Sequence, residues 1–220
     1  MKNFHNILKL LTWNNQSYPI GSYSFSSGLE YAVESNIVKS SKDLQYWLKD
    51  LLIFGNLQSD AILLVHAWKF KIENKDNNIS TLNNFAASLN QSKEKYIESI
   101  EQGNSFIKIS QDAWGHKFPN DSLMFPLAYA CSAAQEGICL DETLLSFLHS
   151  NLCNLLAAGI KLIPLGQTEG QKIQLHLNEY IEEEYRNILK KDLNLVGNCG
   201  WVNDIVSMKH ESQFTRIFRT

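Results

Sequence analysis

The sequence predicts an all-α fold, a single-domain helical bundle with a flexible C-terminal tail. Apolar residues recur at helical spacing along most of the chain, and no stretch alternates apolar and polar residues as a strand does. The 220 residues are 44% hydrophobic and 20% charged, which is enough apolar material for a sizeable core. The chain contains no internal repeat. We expect one main domain, residues 1–203, followed by a tail, residues 204–220.

The clearest predicted helix begins after Ser40. This residue and Asp43, three positions later, give a capping start, and the apolar residues that follow recur at i, i+3, i+4, i+7 and i+8. They are Leu44, Trp47, Leu48, Leu51 and Leu52. A second apolar helix is predicted from Ser59, and the Asn-rich stretch 74–78 after it is predicted to be a surface turn.

The middle of the chain has a weaker helical pattern. It runs from residue 81 to about residue 114, and Gly103 is a candidate interruption. A breaker sequence, Phe118 to Asp121, separates it from a short helix that is predicted over residues 124–136. Gly137 is the expected stop of that helix, because glycine readily adopts the conformation that ends a helix.

The longest apolar helix is predicted from Asp141, as its cap, to Pro164, which cannot continue a helix. Its stretch 143–160 is free of charges and approaches membrane length, but six polar side chains within it indicate a buried helix instead. They are Thr143, Ser146, His149, Ser150, Asn151 and Asn154. A further helix is predicted over residues 167–190 with its glutamates mainly outward, and residues 191–203 are predicted to form a loop.

Composition and motifs exclude several classes of function. With 20 basic and 23 acidic side chains the formal net charge is −3, so the chain lacks the basic balance of a nucleic-acid-binding protein. Its eleven glycines form neither a G-x-G-x-x-G fingerprint nor a phosphate-binding loop. The six histidines are scattered singly and the four cysteines form no C-x-x-C pair, so we expect no metal site, no cofactor and no disulfide framework. No signal-peptide pattern is visible, and we expect a cytoplasmic protein.

The first of three unusual stretches covers residues 18–30. Its proline and glycines predict a turn, and aromatic residues then alternate with small hydroxyl side chains. A serine nucleophile is disfavoured, because no G-x-S-x-G elbow and no nearby histidine accompany the serines. The hydroxyl groups are better explained as partners of backbone groups or as a flat, weakly polar docking surface, which suits a partner interface. The candidate partner-binding residues here are Pro19, Gly21, Ser24, Gly28 and Glu30.

The second unusual stretch, residues 161–171, joins two long predicted helices. Lys161 ends a very apolar helix, where its ammonium group compensates the negative end of the helix dipole. The same ammonium group could be directed at a buried carboxylate, and Glu30 is the partner that we predict. Gln167 stands where the next helix begins. We take Lys161 and Gln167 as further candidate partner-binding residues.

The third unusual stretch is the tail, residues 204–220. Three basic residues against one acidic residue after Asp204 give it a charge of +2 in an acidic protein. It looks too polar to bury itself well, and chain ends commonly fray. However, arginines mixed with aromatic residues resemble the anchor residues of protein interfaces, and this interpretation is favoured. The candidates are His210, Glu211, Gln213, Phe214, Arg216, Phe218 and Arg219.

In these three stretches the sequence resembles the urease accessory protein UreF family. The matching motifs are Pro19-Ile20-Gly21 through Gly28-Leu29-Glu30, then Lys161 through Thr168 with Gly170-Gln171, then Ser207 through Glu211 and Arg216 through Arg219. They stand in the family's order. The middle of the chain departs, since Ser92-Lys93-Glu94-Lys95 replaces the family's Arg-Glu-rich helix and residues 74–90 have little to match.

The resemblance implies an all-helical, dimer-forming chaperone without catalytic activity. Such proteins bind the accessory protein UreD, called UreH in some species, and together recruit the GTPase UreG, which delivers nickel to apo-urease. By motif position the partner-contacting tail maps to residues 210–219, and Gly21 through Glu30 with Lys161 map to the surface or tunnel that joins the partners. We expect Phe214, Ile217 and Phe218 to be buried against UreD when the tail becomes ordered.

Two other functions remain open from the sequence. Arg216 or Arg219 could act in trans as an arginine finger that accelerates GTP hydrolysis by UreG. Alternatively, Cys199 and His210 could carry nickel, although two ligands across a glycine-containing loop make a weak site.

Overall fold

The computed structural model describes residues 2–220, and the predicted all-α fold is confirmed. The described residues form ten α-helices and two short 3-10 helices, Ser22–Ser24 and Leu193–Leu195, without a strand. The α-helices are α1 Lys2–Trp13, α2 Leu29–Glu34, α3 Ser41–Ile53, α4 Asn56–Ile72, α5 Asp76–Ser88, α6 Lys93–Trp114, α7 Phe125–Gln135, α8 Leu140–Leu162, α9 Gln167–Ile188 and α10 Trp201–His210.

Helix α4 lies at the centre of the bundle. It packs against α3, α5, α7, α8 and α9, and nine of its seventeen residues are buried. Helix α7 is buried in the same way between α4 and α6. A cluster of aromatic rings fills the core beside α6 and α7, where Trp13 meets Phe106, Trp114 and Tyr129 edge to face.

The helix predicted after Ser40 is confirmed in detail. The Ser40 side chain accepts a hydrogen bond from the Asp43 N–H, and the Asp43 side chain accepts one from the Ser40 N–H, which is a complete capping box. The five apolar residues of the helical pattern are all buried. The long helix before Pro164 is also present, although Cys139, rather than Asp141, occupies its N-cap position.

The middle of the chain differs from the prediction in two places. Helix α5 begins at Asp76, inside the predicted surface turn, and residues 89–92 separate it from α6. Gly103 does not interrupt α6. A Cβ atom at this position would lie 1.9 Å from the carbonyl oxygen of Leu123, so glycine allows the segment before α7 to cross α6 closely.

Two stretches are long and apolar enough to span a membrane by composition alone. They are Ser41–Ile72, which contains α3 and α4, and Leu140–Leu162, which is α8. Their most apolar windows are 67% and 44% buried inside the protein. Packing within the bundle accounts for most of the first window, but the predicted burial of α8 holds for less than half of its window.

The C-terminal region departs most from expectation. Residues 201–203, predicted as loop, begin helix α10, so the predicted domain boundary at 203/204 falls inside a helix. The expected flexible tail is not seen. It was predicted to be too polar for burial, yet five of its side chains are buried: Val206, Ser207, His210, Phe218 and Thr220.

Candidate partner-binding site

The first and third unusual stretches meet through their backbones. The Arg219 N–H donates to the Ser24 carbonyl oxygen at 2.8 Å, and the Ser26 N–H donates to the Thr220 carbonyl oxygen at 2.7 Å. The Ser26 hydroxyl donates to the same carbonyl oxygen at 2.7 Å. The final segment, residues 211–220, is thus attached to the turn that precedes α2, about 190 positions earlier in the chain.

Gly28 permits the close approach of α10 to this turn. Its φ angle is 80°, and an added Cβ atom would lie 3.0 Å from the backbone of Ser207. Both the conformation and the space favour glycine. Gly28 therefore has a structural role, because it allows α10 to pack closely against this turn.

Glu30 is the main acceptor for the final segment. One carboxylate oxygen accepts the N–H of Ile217 at 2.7 Å, and the other accepts the N–H of Phe218 at 2.9 Å. The second oxygen also lies 3.2 Å from His210 Nε2. Glu30 is 5% exposed, so these three donors replace the water that it has lost.

His210 joins Glu30 to a second buried carboxylate. Its side chain is fully buried, and its Nδ1 atom lies 2.7 Å from Oε2 of Glu94. Arg216 donates to the other Glu94 oxygen at 2.9 Å. Because ionised carboxylates only accept hydrogen bonds, both ring nitrogens donate only if His210 carries two protons. We call Glu30, Glu94, His210 and Arg216 the buried charge cluster.

The ionisation of Glu94 is opposed by its surroundings. Burial raises the pKa of Glu94 above its ordinary value, and the favourable effect of His210 and Arg216 offsets only part of that shift. Residues Ser92 through Lys95, at the start of α6, were predicted to depart from the family, yet they include Glu94, a central residue of the site. Ser92 contributes as well, since its hydroxyl lies 2.7 Å from the hydroxyl of Ser207.

The predicted ion pair between Lys161 and Glu30 is wrong. Lys161 is exposed at the end of α8, and its ammonium group lies 5.9 Å from the ring centroid of Phe218. This is a cation–π contact with a buried ring. Lys161 is therefore at the rim of the site, whereas His210 and two backbone N–H groups occupy the carboxylate of Glu30.

The remaining tail candidates make contacts around the cluster. Glu211 accepts the Lys93 N–H at 3.2 Å, and Gln213 donates to Glu34. Arg219 pairs with Glu101 at 2.7 Å. Both tail arginines, which were predicted to bind a partner, thus pair with glutamates of this chain.

The other predicted candidates lie further out. Pro19 and Gln167 are exposed, and Gly21 is partly buried. Gly21 adopts a positive φ angle of 72° before the short 3-10 helix, as expected for a turn. None of these three has a side-chain hydrogen bond to the charge cluster within the part of the chain that the structure describes.

The outer face of this region is apolar. Phe214 is fully exposed and Ile217 is 75% exposed, although Phe218 beside them is buried. Helix α10 adds Trp201, Ile205 and Met208, which stand at i, i+4 and i+7 and are 74%, 55% and 46% exposed. These three were not predicted as a set, because Trp201 was assigned to a loop and Ile205 and Met208 to the tail, so their common helical face was not recognised. We call these five side chains the C-terminal apolar face.

The described residues show little basis for metal binding in the tail. Across residues 2–220, no three His, Cys, Asp or Glu side chains gather into a metal cluster. The suggested nickel ligands are Cys199 and His210, but both ring nitrogens of His210 face carboxylates in the interior. Cys199 lies exposed at the surface. His210 is therefore not available as the imidazole ligand that the suggested nickel-carrier function requires.

The fold and site define a class of protein: a helical protein that fixes its own C-terminal residues on buried carboxylates and exposes apolar side chains of α10 and of the final segment to solvent. Exposed apolar faces of this kind are typical of proteins that act by binding other proteins. The profile of the UreF family matches residues 38–178, including the middle region where the motifs gave little resemblance.

Individual relatives agree over nearly the whole chain. The urease accessory protein UreF of Rhodopseudomonas palustris strain TIE-1 is 33% identical over 97% of this chain and 92% of its own length. The protein of the same name from strain BisB18 is 34% identical, with the same coverage of both chains. The one from Bradyrhizobium sp. strain ORS 278 is 33% identical, again covering 97% and 92%. The chain belongs to the UreF family of urease accessory proteins.

Proposed function

We propose that this protein is a non-catalytic, cytoplasmic scaffold of urease maturation. It binds UreD (UreH), and the complex recruits the GTPase UreG to apo-urease, so that nickel is inserted into the metallocentre. Nickel is the cargo of this assembly. The family membership supports a role in urease maturation, and the particular partners follow from the motif resemblance described above.

The observation that carries this proposal is the C-terminal apolar face. A fully exposed phenylalanine beside an exposed isoleucine is unfavourable in water, whereas both would gain about 1.5–3 kcal/mol each on burial in an interface. The buried charge cluster fixes the backbone next to them, because Glu30 binds the N–H of Ile217 itself. The anchors are therefore already positioned, which reduces the entropy that binding must remove.

The test is co-expression of this chain with its cognate UreD and UreG, followed by size-exclusion chromatography with light scattering. The variant carries Phe214→Ser and Ile217→Ser, which remove exposed apolar side chains without adding a charge beside Glu30. Ile72→Ser, at a half-exposed position on α4, is the control. We expect a defined complex with the native chain and the control, and at least a tenfold loss of binding with the double variant. Equal assembly by all three chains would contradict the proposal.

We further propose that the protein forms a homodimer through α1. Four apolar side chains of this helix are exposed: Phe4, Ile7, Leu8 and Leu11. A groove of about 470 Å³ runs beside them, with an apolar floor from α1, α8 and α9 and with Glu142 and Glu182 among its lining residues. Helix α1 contains no acidic residue, so α1 of a second copy matches the groove in both hydropathy and charge.

Leu11→Asp tests the dimer, since Leu11 lines the groove and is 62% exposed. We expect this variant to be a monomer by light scattering at concentrations where the native chain is a dimer. Leu175→Asp, at a 65% exposed position of α9 that does not line the groove, is the control. A dimer that persists in Leu11→Asp would contradict this interface.

Of the two arginines suggested as an arginine finger, Arg219 remains a candidate. Arg216 is engaged with buried Glu94, but the Arg219 side chain is 59% exposed and pairs only with the surface residue Glu101. Single-turnover GTP hydrolysis by UreG distinguishes the two functions. A scaffold leaves the chemical step unchanged in Arg219→Ala, whereas loss of a finger would slow that step by about 10³-fold or more.

A further inference from the structure

His210 bridges two buried glutamates through its two ring nitrogens. Its Nδ1 atom lies 2.7 Å from a carboxylate oxygen of Glu94, and its Nε2 atom lies 3.2 Å from a carboxylate oxygen of Glu30. The two carboxylates come from different helices, α6 and α2, and the histidine side chain is completely buried between them. Each of the two contacts requires a proton between a ring nitrogen and an oxygen.

The bridge therefore holds one proton more than its groups carry in water at neutral pH. A neutral imidazole donates from one nitrogen only, so one of the two contacts would place two lone pairs against each other. The cluster would also be net negative, because Glu30 and Glu94 outnumber Arg216, and a buried net charge is costly. Burial, together with the nearby charge of Glu211, raises the pKa of Glu94, which favours retention of the proton.

The final segment is bound by the same two carboxylates. Arg216 donates to Glu94, and Glu30 accepts the backbone N–H groups of Ile217 and Phe218. The bridge and the segment thus share their acceptors. Attachment of the segment and protonation of the bridge are therefore linked equilibria.

We propose that His210 and Glu94 share one proton that controls the attachment of the final segment: loss of this proton as the pH rises detaches residues 211–220 from the bundle. Without the proton, a ring nitrogen of His210 faces a carboxylate lone pair, and this repulsion is relieved when the cluster opens to water. Detachment also withdraws Phe214 and Ile217 from the C-terminal apolar face. The proposal concerns the chain alone and does not depend on the proposed function.

The direction of the pH dependence follows from the number of protons in each state. When the segment is detached, the bridge is solvated, and a solvated glutamate and histidine lose their protons at about pH 4.3 and about pH 6.5. Between these values the attached and detached states hold one proton each, so pH has no effect. Above about pH 6.5 only the attached state keeps its proton, so the equilibrium constant for attachment falls by up to about tenfold per pH unit.

The other ionisable side chains near the bridge do not bind His210. They belong to α2, α6 and the C-terminal end of α10, the elements that surround the histidine, and they are Glu34, Lys93, Lys95, Glu98, Lys209 and Glu211. Within residues 2–220, the side chain of His210 is hydrogen-bonded to Glu30 and Glu94 alone. Lys95 and Glu98 bind Ser27 instead. The remaining four are exposed, so water and salt screen their charges.

The test is hydrogen exchange of the full chain between pH 6 and pH 9, followed by rapid-quench mass spectrometry. Protection factors remove the intrinsic effect of pH on amide exchange. They are compared for the peptide that contains Ile217 and Phe218 and for a peptide of α4. We expect the protection of the final segment to fall by up to about tenfold per pH unit above about pH 6.5, while that of α4 changes little.

Glu94→Gln replaces the shared proton with an amide N–H group. The glutamine N–H donates to Nδ1 of a neutral His210 and the glutamine oxygen accepts from Arg216, so the cluster needs no extra proton. We expect the final segment of this variant to keep its protection up to pH 9. Glu101→Gln is the matched control, because Glu101 also lies on α6 and binds a tail arginine, Arg219, at 2.7 Å. The control should show the pH dependence of the native chain.

Two results would overturn the proposal. The first is protection of the final segment that stays constant from pH 6 to pH 9 in the native chain, and this result does not require that any variant folds. The second is an equal loss of protection in Glu94→Gln and Glu101→Gln while the amides of α4 remain protected in both.

Discussion

Helix α1 and the final segment, residues 211–220, are attached to the bundle by opposite kinds of interaction. Helix α1 buries two apolar side chains, Leu10 and Trp13, and leaves most of its other apolar residues in solvent. The final segment is bound by hydrogen bonds to two buried carboxylates. Apolar packing tolerates small shifts in position, whereas hydrogen bonds fix the backbone to a few tenths of an ångström. Helix α1 is therefore anchored by apolar packing at its C-terminal end, whereas the backbone position of the final segment is fixed by hydrogen bonds.

The largest expected effect is on the apolar attachment of α1. Trp13 is 1% exposed and contacts three aromatic rings, so Trp13→Ala should lower the free energy of unfolding by about 3–5 kcal/mol. Urea denaturation followed by circular dichroism measures it. Leu8→Ala, at a 62% exposed position of the same helix, is the control and should change stability by less than about 0.5 kcal/mol.

The next largest effect should come from Glu30. Glu30→Ala leaves His210 and two backbone N–H groups without their acceptor, which should cost roughly 3 kcal/mol. Hydrogen exchange should show the amides of Ile217 and Phe218 losing protection, while those of α4 keep theirs in proportion to global stability.

A double-mutant cycle sharpens this prediction. Because Lys161 contacts Phe218 and not Glu30, the effects of Lys161→Ala and Glu30→Gln should add within about 0.5 kcal/mol. A coupling energy well above that value would support the ion pair between Lys161 and Glu30 that was predicted from the sequence.

The sequence could predict what is local in this fold but not what is distant. The capping box at Ser40 and the apolar spacing after it lie within five turns of one another, so they are visible in the sequence. Glu30 was predicted as a partner-binding residue, but its observed role as an acceptor depends on His210, 180 positions later, and on backbone N–H groups that have no sequence signature. Helix α10 was missed because Gly197 and Gly200 stand just before it and indicate a loop.

The two regions should also respond to pH in opposite directions. Burial alone would raise the pKa of Glu136, which binds Lys9 of α1, but hydrogen bonds from Lys9 and His116 outweigh it and hold the pKa below its ordinary value. The stability that ionised Glu136 contributes is present above the pKa that this group has in the unfolded chain. It is lost as the pH falls through the pKa of Glu136 in the folded protein. The pKa of Glu94 is raised, so its ionisation destabilises the fold as pH rises from the unfolded value through the folded one.

Two variants that replace a glutamate with uncharged glutamine separate the contributions of Glu136 and Glu94 to the pH dependence of stability. Relative to the native chain, Glu136→Gln should be less stable at neutral pH, and the difference should shrink on acidification. Glu94→Gln should gain stability relative to the native chain as pH rises from acid to neutral. Urea denaturation at a series of pH values between 3 and 7 measures both, and parallel curves for the two variants would contradict the comparison.

The smallest expected effect concerns the ion pair between Lys9 of α1 and Glu136. Lys9 binds Glu136 at the edge of the bundle, where both side chains retain some contact with water. Lys9→Met keeps the aliphatic stem and removes the charge. The free energy of unfolding should therefore change by less than about 1 kcal/mol, and the difference from the native chain should be smaller still in high salt. If this variant instead destabilised the protein as much as Trp13→Ala, α1 would be held by charge rather than by packing, and the contrast with the final segment would disappear.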